Sequence, residues 1–266
     1  MKRYQTLEIE RQSGVAWVWL NRPEVRNAFN DQMIAELTAA FSELGQDDDV
    51  RVMVLAGRGP SFCAGADLNW MKKMSEYSFE ENRADASKLA SMLHALFTFP
   101  KPTIARVHGH AFAGGMGLVA ACDVALASND TKFCLSEVKI GLIPATIGPY
   151  VVAAMGARIA RRYMLSAERF DSNEALRSGF IHEVSSSETL DETVETILEN
   201  FLSGGPHAHR ETKSLIERIE ASGLDQELID DTAARIARVR ATDEGREGIR
   251  SFLEKRRPGW LRDSGE

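Results

Sequence analysis

The sequence predicts an α/β fold that gives way to an all-helical C-terminal region. Short β-branched and aromatic runs bounded by turn residues read as strands, and the longer stretches between them carry apolar residues at helical spacing. From Leu190 onward the strand signal is gone and Glu, Lys and Arg are spaced among Ile and Leu, helix after helix. The domain reading is therefore an α/β core over 1–189 and a helical region over 190–266.

Val15 to Leu20 (VAWVWL) and Val50 to Leu55 (VRVMVL) are the first two predicted strands. Between them Asn30 or Asp31 can cap a helix whose stripe of Ile34, Leu37, Phe41 and Leu44 ends before Gly45. A second helix is expected over Phe79 to Phe97, where Leu89, Met92, Leu93 and Leu96 repeat until Pro100 and Pro102 stop it. Thr103 to Val107, Val124 to Ala127 and Phe180 to Val184 complete the strand candidates. Asp171 to Glu174 reads as a capping box for a short helix ending at Gly179. In the helical region, the stripes of Leu215, Ile216 and Ile219 and of Leu228, Ile229, Ile236 and Val239 need cover. A packing module or lid and an oligomerisation element both answer that need.

At 266 residues and 44% hydrophobic, the chain can bury a sizeable core. Its net charge of -7 argues against a general nucleic-acid or anionic-membrane partner, which would call for a dominant basic surface. Cys63, Cys122 and Cys134 have no metal-like spacing and leave an odd thiol, so neither a disulfide framework nor a zinc site is expected. The start of the chain lacks a signal-peptide apolar stretch, and no run approaches the ~18 apolar residues of a spanning helix. The expectation is a cytoplasmic protein of a reducing compartment.

Two small-residue loops stand out, Ser61-Phe62-Cys63-Ala64-Gly65-Ala66-Asp67 and Gly109-His110-Ala111-Phe112-Ala113-Gly114-Gly115-Met116-Gly117. Each joins a strand to a helix, so its backbone N–H groups and the helix N-terminus could hold developing negative charge. The competing reading is that the glycines merely permit tight packing. A nucleotide fingerprint is a poor fit, because the second loop lies beyond residue 100 and lacks both the glycine spacing and an acidic ribose partner. His108 and His110 read as packed or surface side chains beside a glycine turn, and Trp17, Trp19 and Trp70 as core or pocket wall.

The segments NRPEVRNAFN (Asn21 to Asn30), FCAGADLNWM (Phe62 to Met71), the loop to Gly117, SEVKIGLIPA (Ser136 to Ala145) and the ending Phe252-Leu253-Glu254-Lys255-Arg256 occur together and in order. In this the chain resembles the crotonase (enoyl-CoA hydratase/isomerase) family almost end to end. The resemblance implies a spiral of ββα repeats with a C-terminal helical trimerisation region, an acyl-CoA substrate, and a homotrimer or dimer of trimers. It implies no metal and no cofactor beyond the coenzyme A that belongs to the substrate.

Residue by residue, the resemblance puts the Ala66 and Gly114 amides at the oxyanion hole for the thioester carbonyl and Glu137 at the acid/base position. Arg26, Ala64, Asp67, Leu68, Phe252 and Lys255 match coenzyme A-binding positions, with Phe252 reaching the coenzyme from a neighbouring subunit. Trp70, Lys72, Lys73, Gly117 and Ala145 are the acyl-pocket candidates, one of the lysines being a counter-ion for a distal carboxylate. Gly117 departs from the family pattern, standing where many hydratases carry a first acidic residue. A finer likeness of GADLNWMKKM, GLVAACD and GLIPATIGPYVVAAMGARIARRYML is to bacterial methylglutaconyl-CoA hydratases. The expected activity is thus hydration of an enoyl-CoA, with isomerisation or another crotonase-type lyase reaction as the alternative. A non-catalytic coenzyme A-binding or RNA-binding protein is the reading from a different class.

Overall fold

The VAWVWL run becomes β2 (Val15–Leu20), which follows the edge strand β1 (Leu7–Gln12) in a computed structural model that describes residues 4–261. Helix α1 (Asp31–Gln46) starts where Asn30 accepts a hydrogen bond from the Met33 N–H at 2.8 Å, and it runs through Gly45. Strand β3 (Val52–Gly57) begins two residues later than the pattern suggested. Val50 is buried, but its N–H closes a turn on Asp47, and the register Val15↔Val52 sets the start of pairing. All six residues of β3 are buried, the pattern of a strand covered on both faces.

Helices α2 (Leu68–Met74) and α3 (Phe79–Phe97) come next. A reciprocal capping box between Ser78 and Glu81 starts α3, and Phe99 beyond it packs edge-on against Phe41 of α1. Strands β4 (Thr103–Val107) and β5 (His110–Phe112), helix α4 (Gly114–Ala121), and strands β6 (Val124–Ser128) and β7 (Lys132–Cys134) follow. Then come α5 (Gly148–Ser166), β8 (Phe170–Asp171), α6 (Ser172–Arg177) and β9 (Glu183–Ser185). Asp171 caps α6 through the Glu174 N–H. The return half of the expected capping box is missing, because the Glu174 carboxylate is taken by Tyr163 Oη and Arg177. Phe180 and Ile181 are buried in the turn after α6, not in a strand, and Phe180 meets the rings of Phe133 and Phe170.

The main sheet has the order β1-β2-β3-β4-β6-β9 and is parallel except for β1. A second sheet, β5-β7-β8, consists of strands of two or three residues. Its inner residues Ala111, Phe133 and Phe170 are buried, each large side chain contributing roughly 1.5–3 kcal/mol of transfer free energy.

The chain forms two compact units, one running through Phe99 and over Thr103–Thr196, the other Pro100–Pro102 with Ile197–Glu266. The second contains the end of α7 (Leu190–Ser203), α8 (Pro206–Glu220), α9 (Gln226–Ala241) and α10 (Asp243–Leu253). Ile216, Ile219, Ile229 and Ile236 are exposed on these helices. Among the described residues no helix is long and apolar enough to cross a membrane, and the three cysteines are free thiols.

Candidate active site

The two small-residue loops run side by side as parallel segments. Phe62 and Cys63 donate to the His108 and His110 carbonyls at 2.9 Å, and Phe112 donates back to Cys63 at 2.9 Å. The histidine rings reinforce this seam: His108 Nε2 is 2.8 Å from the Gly59 carbonyl, and His110 Nδ1 is 3.1 Å from Ser61 Oγ. Burial lowers both imidazole pKa values, for His110 with help from the nearby Arg26 and Arg169 charges, so the rings serve as neutral braces.

Ala66 sits in a parallel bridge opposite Phe29. Phe29 takes both hydrogen bonds of that bridge, donating to Gly65 and accepting from Asp67, each at 2.7 Å. In a parallel ladder this geometry turns the Ala66 N–H to the opposite side. Gly114 is the first residue of α4, where an N–H has no intrahelical acceptor. Among the described residues neither N–H has a protein acceptor.

Contacts between the loops bring the two donors together. A Cβ on Gly65 would lie 3.3 Å from Ala113 Cβ, so the residues preceding each donor touch. Ala113 holds φ 46° and ψ -116°, a strained conformation for a residue with a side chain, and this sets the peptide plane that carries the Gly114 N–H. Two fixed N–H donors, one at a helix N-terminus, are an arrangement that can stabilise negative charge on an oxygen.

Glu137 arrives from the small sheet. Phe112 pairs with Cys134, and the Ala113 N–H donates to the Cys134 carbonyl at 2.8 Å, tying the loop before α4 to the strand that leads to Glu137. A 3-10 turn over Glu137–Ile140, ended by Gly141 at φ 75°, presents the carboxyl. Its Oε2 is buried without a hydrogen-bond partner. Burial raises the carboxyl pKa, opposed only in part by the residue's own N–H. A half-buried carboxyl whose charged form is undercompensated is suited to take up and release a proton.

A family profile described as "Enoyl-CoA hydratase/isomerase" matches residues 10–263. The chain belongs to the enoyl-CoA hydratase/isomerase family. The crystal structure of an enoyl-CoA hydratase from Shewanella pealeana is 43% identical, superposes with a TM-score of 0.95, and matches 97% of each chain. A Thermus thermophilus protein named provisionally as an enoyl-CoA hydratase is 36% identical over 244 residues, 92% of this chain and 96% of its own. An Arabidopsis thaliana peroxisomal Delta(3,5)-Delta(2,4)-dienoyl-CoA isomerase is 33% identical over 273 residues, 97% of this chain and 98% of its own. The architecture is thus the crotonase fold with C-terminal helices.

In this family member Ala64 and Ala66 are half-buried and Leu68 is exposed on α2. Asp67 is committed inward: one carboxylate oxygen caps α2 through the Asn69 and Trp70 N–H groups, and the other meets Arg22 at 2.8 Å. Burial pushes the Asp67 carboxyl up, but the Arg22 hydrogen bond and the helix amides outweigh it and hold the pKa below the ordinary value. Arg26 is exposed at the left-handed end of a short turn, with its carbonyl accepting from Ala64. Trp70 is buried and its Nε1 points to Asp85. Lys72, Lys73 and Ala145 are exposed. Phe252 and Lys255 lie in the helical unit, where Phe252 is 81% exposed and Lys255 takes a left-handed turn after α10. Trp17 and Trp19 are not core residues; they stack on one another at 5.3 Å, with Arg58 over Trp19.

Three residues at or beside the site had no role in the sequence reading: Phe29, Arg22 and Ile147. Phe29 and Arg22 fall inside NRPEVRNAFN, but what they touch is distant in sequence, and no local spacing announces it. Tight packing accounts for the glycines, and it leaves one N–H without a protein acceptor. Gly114 supplies a free N–H, and a Cβ there would lie 2.8 Å from the Phe29 ring, while one on Gly115 would lie 2.8 Å from the Cys63 carbonyl.

Proposed function

We propose that the chain is an enoyl-CoA hydratase that adds water across the 2,3 double bond of an acyl-CoA thioester, with 3-methylglutaconyl-CoA as its substrate. The observation that carries this reading is the half-buried Glu137 carboxyl, its Oε2 without a hydrogen-bond partner, on a turn that follows a strand tied to the loop bearing one of two free backbone amides. The thioester oxygen accepts from the Ala66 and Gly114 N–H groups. The Glu137 carboxylate takes a proton from water as the water oxygen bonds to C3, and the electrons of the double bond move onto the thioester oxygen. Glu137 then returns that proton to C2 as the enolate collapses, so one carboxyl completes the addition.

Arg26, Ala64, Asp67, Leu68, Phe252 and Lys255 are the proposed coenzyme A contacts, the backbone of Asp67 serving there since its side chain is engaged. Lys72 or Lys73, both exposed at the end of α2, is the proposed partner of a distal carboxylate. The exposed isoleucines of α8 and α9 are the proposed assembly surface of a trimer or dimer of trimers, and a cytoplasmic location is proposed with it. Isomerisation is the second reading, favoured by Gly117: moving a proton between two carbons needs one carboxyl.

Absorbance of the conjugated enoyl thioester tests both. Its loss from crotonyl-CoA or 3-methylglutaconyl-CoA supports hydration, its appearance from a 3-enoyl-CoA supports isomerisation, and no change with any substrate overturns both. The rate ratio between the carboxylated and uncarboxylated substrates tests the acyl assignment.

A further inference from the structure

Gly117 is more than a missing side chain, because the volume beside it is filled. A Cβ on Gly117 would lie 2.3 Å from Ile147 Cγ2, 2.9 Å from Ile147 Cβ and 3.5 Å from Leu93 Cδ2. Ile147 is 2% exposed and Leu93 is fully buried, so neither can swing into solvent to make room. Gly117 lies one turn along α4 from Gly114, whose N–H is the proposed oxyanion donor, so the filled volume adjoins the place where the acyl group must sit.

We propose that Ile147 is a specificity-determining residue that excludes a second carboxyl from the site and confines the reaction to chemistry Glu137 can perform alone. This rests on the hydratase or isomerase reading above. A carboxylate at position 117 would need Ile147 to move and would then face an aliphatic wall, where an unpaired charge is costly. The titratable group in the first turn of α5 is Tyr150, three residues beyond Ile147. Its ring lies 5.3 Å from that of Phe97, and burial raises its pKa, which keeps the phenol protonated. The atoms nearest a Cβ on Gly117 are all aliphatic carbons of Ile147 and Leu93, so in this reading proton uptake and return both fall to Glu137.

The test compares the parent protein with Gly117→Glu, Ile147→Gly and the double variant, by thermal unfolding and by the pH dependence of enoyl-CoA turnover. Ile147 precedes the first turn of α5, so glycine there does not break a helix interior. Gly117→Glu alone should lose at least roughly 5 °C in Tm and about a hundredfold in turnover. In the double variant Tm should return to within a few degrees of Ile147→Gly. The acid limb of kcat/KM should then move to higher pH by about one unit, because a second carboxylate raises the pKa of Glu137. A merely structural role for Ile147 would not move that limb.

A Gly117→Glu protein with parental Tm and turnover would overturn the proposal, as would a folded double variant with an unmoved acid limb. So would a Tyr150→Phe loss as large as that of Glu137→Gln. If the glutamate variants do not fold, Gly117→Ala with and without Ile147→Gly reads the same clash through one methyl group, and additive Tm changes would refute it. Failure of the parent to turn over any enoyl-CoA would overturn the functional reading instead, while the stability cycle would still decide whether Ile147 fills the site.

Discussion

The ring edge of Phe29 occupies the place where a side chain on Gly114 would have to go, while the Phe29 backbone pairs with Ala66. One residue therefore holds both of the amides proposed to bind the thioester oxygen. Phe29→Leu should lower stability by about 1–2 kcal/mol, since part of a buried ring is lost, and should lower kcat by at least tenfold as the Gly114 N–H loses its stop. Gly114→Val should be worse on both counts, because the branched side chain drives directly into the ring. Chemical denaturation alongside turnover separates the cases: a stability loss in Phe29→Leu without a loss in kcat would show that the ring merely fills the core.

Glu137→Gln should abolish turnover, by roughly two to four orders of magnitude, while leaving coenzyme A-ester affinity within a few-fold. Its effect on stability has the opposite sign to that of most point substitutions. The pKa of Glu137 is raised by burial, so the folded state favours the protonated form. The contribution from protonation is fully present below the unfolded carboxylate pKa and is lost as pH rises through the folded value. At neutral pH the parent therefore bears an undercompensated buried charge that glutamine lacks, and the variant should be equal or higher in Tm there. That advantage should vanish near pH 4. A variant with lower Tm at neutral pH would mean that the carboxylate is satisfied in the fold. For the parent, kcat/KM should fall on an acid limb centred above the ordinary glutamate range.

What the sequence makes legible follows from how local each signal is. β2 and β4 fall where their β-branched runs predicted, and α3 ends where Pro100 and Pro102 allow, because each is decided by neighbouring residues. β1 reads as a polar alternation, LEIERQ, and gains its identity only by pairing with β2. The small sheet is invisible: strands of two or three residues have no periodicity, and Phe133 finds Phe170 across a stretch that includes the whole of α5. Of the candidate site, Ala66, Gly114 and Glu137 are proposed from the resemblance alone. The contacts of Phe29 with Gly114 and of Ile147 with Gly117 are not legible, because closeness in space leaves no mark on residues 85 and 30 positions apart in sequence.

Ala113 offers a test of strain. At φ 46° and ψ -116° a side chain costs about 1–3 kcal/mol, and glycine relieves this at a smaller entropic cost. Ala113→Gly should raise Tm by about 2–3 °C, a gain of about 1 kcal/mol, and lower turnover several-fold because the Gly114 N–H is less firmly aimed. Calorimetry with steady-state kinetics checks it. A fall in both would mean that the methyl group contributes packing that exceeds the strain.

The Arg22–Asp67 pair carries the last prediction, in which the sign of a pH effect identifies the cause. The pair is nearly buried, with side chains 16% and 7% exposed, and Arg22 also donates to the Ala28 carbonyl at 2.7 Å. Arg22→Met preserves much of the volume but leaves the Asp67 carboxylate without its cation, which should cost about 3 kcal/mol near neutral pH. In the parent the Asp67 pKa is held down by Arg22 and the α2 amides against burial, so the stability it contributes is present above the unfolded carboxylate pKa of about 3.9 and is lost as pH falls through the folded value. With Arg22 gone, burial prevails and the carboxyl titrates higher, so the deficit of the variant should shrink steadily from pH 7 toward pH 4. Because Asp67 caps the helix that follows Ala66, KM for acyl-CoA should rise with it. Urea unfolding across that pH range checks the first part and steady-state kinetics the second; a deficit that stays constant with pH would mean that Arg22 acts through Ala28 and packing, not through the charge on Asp67.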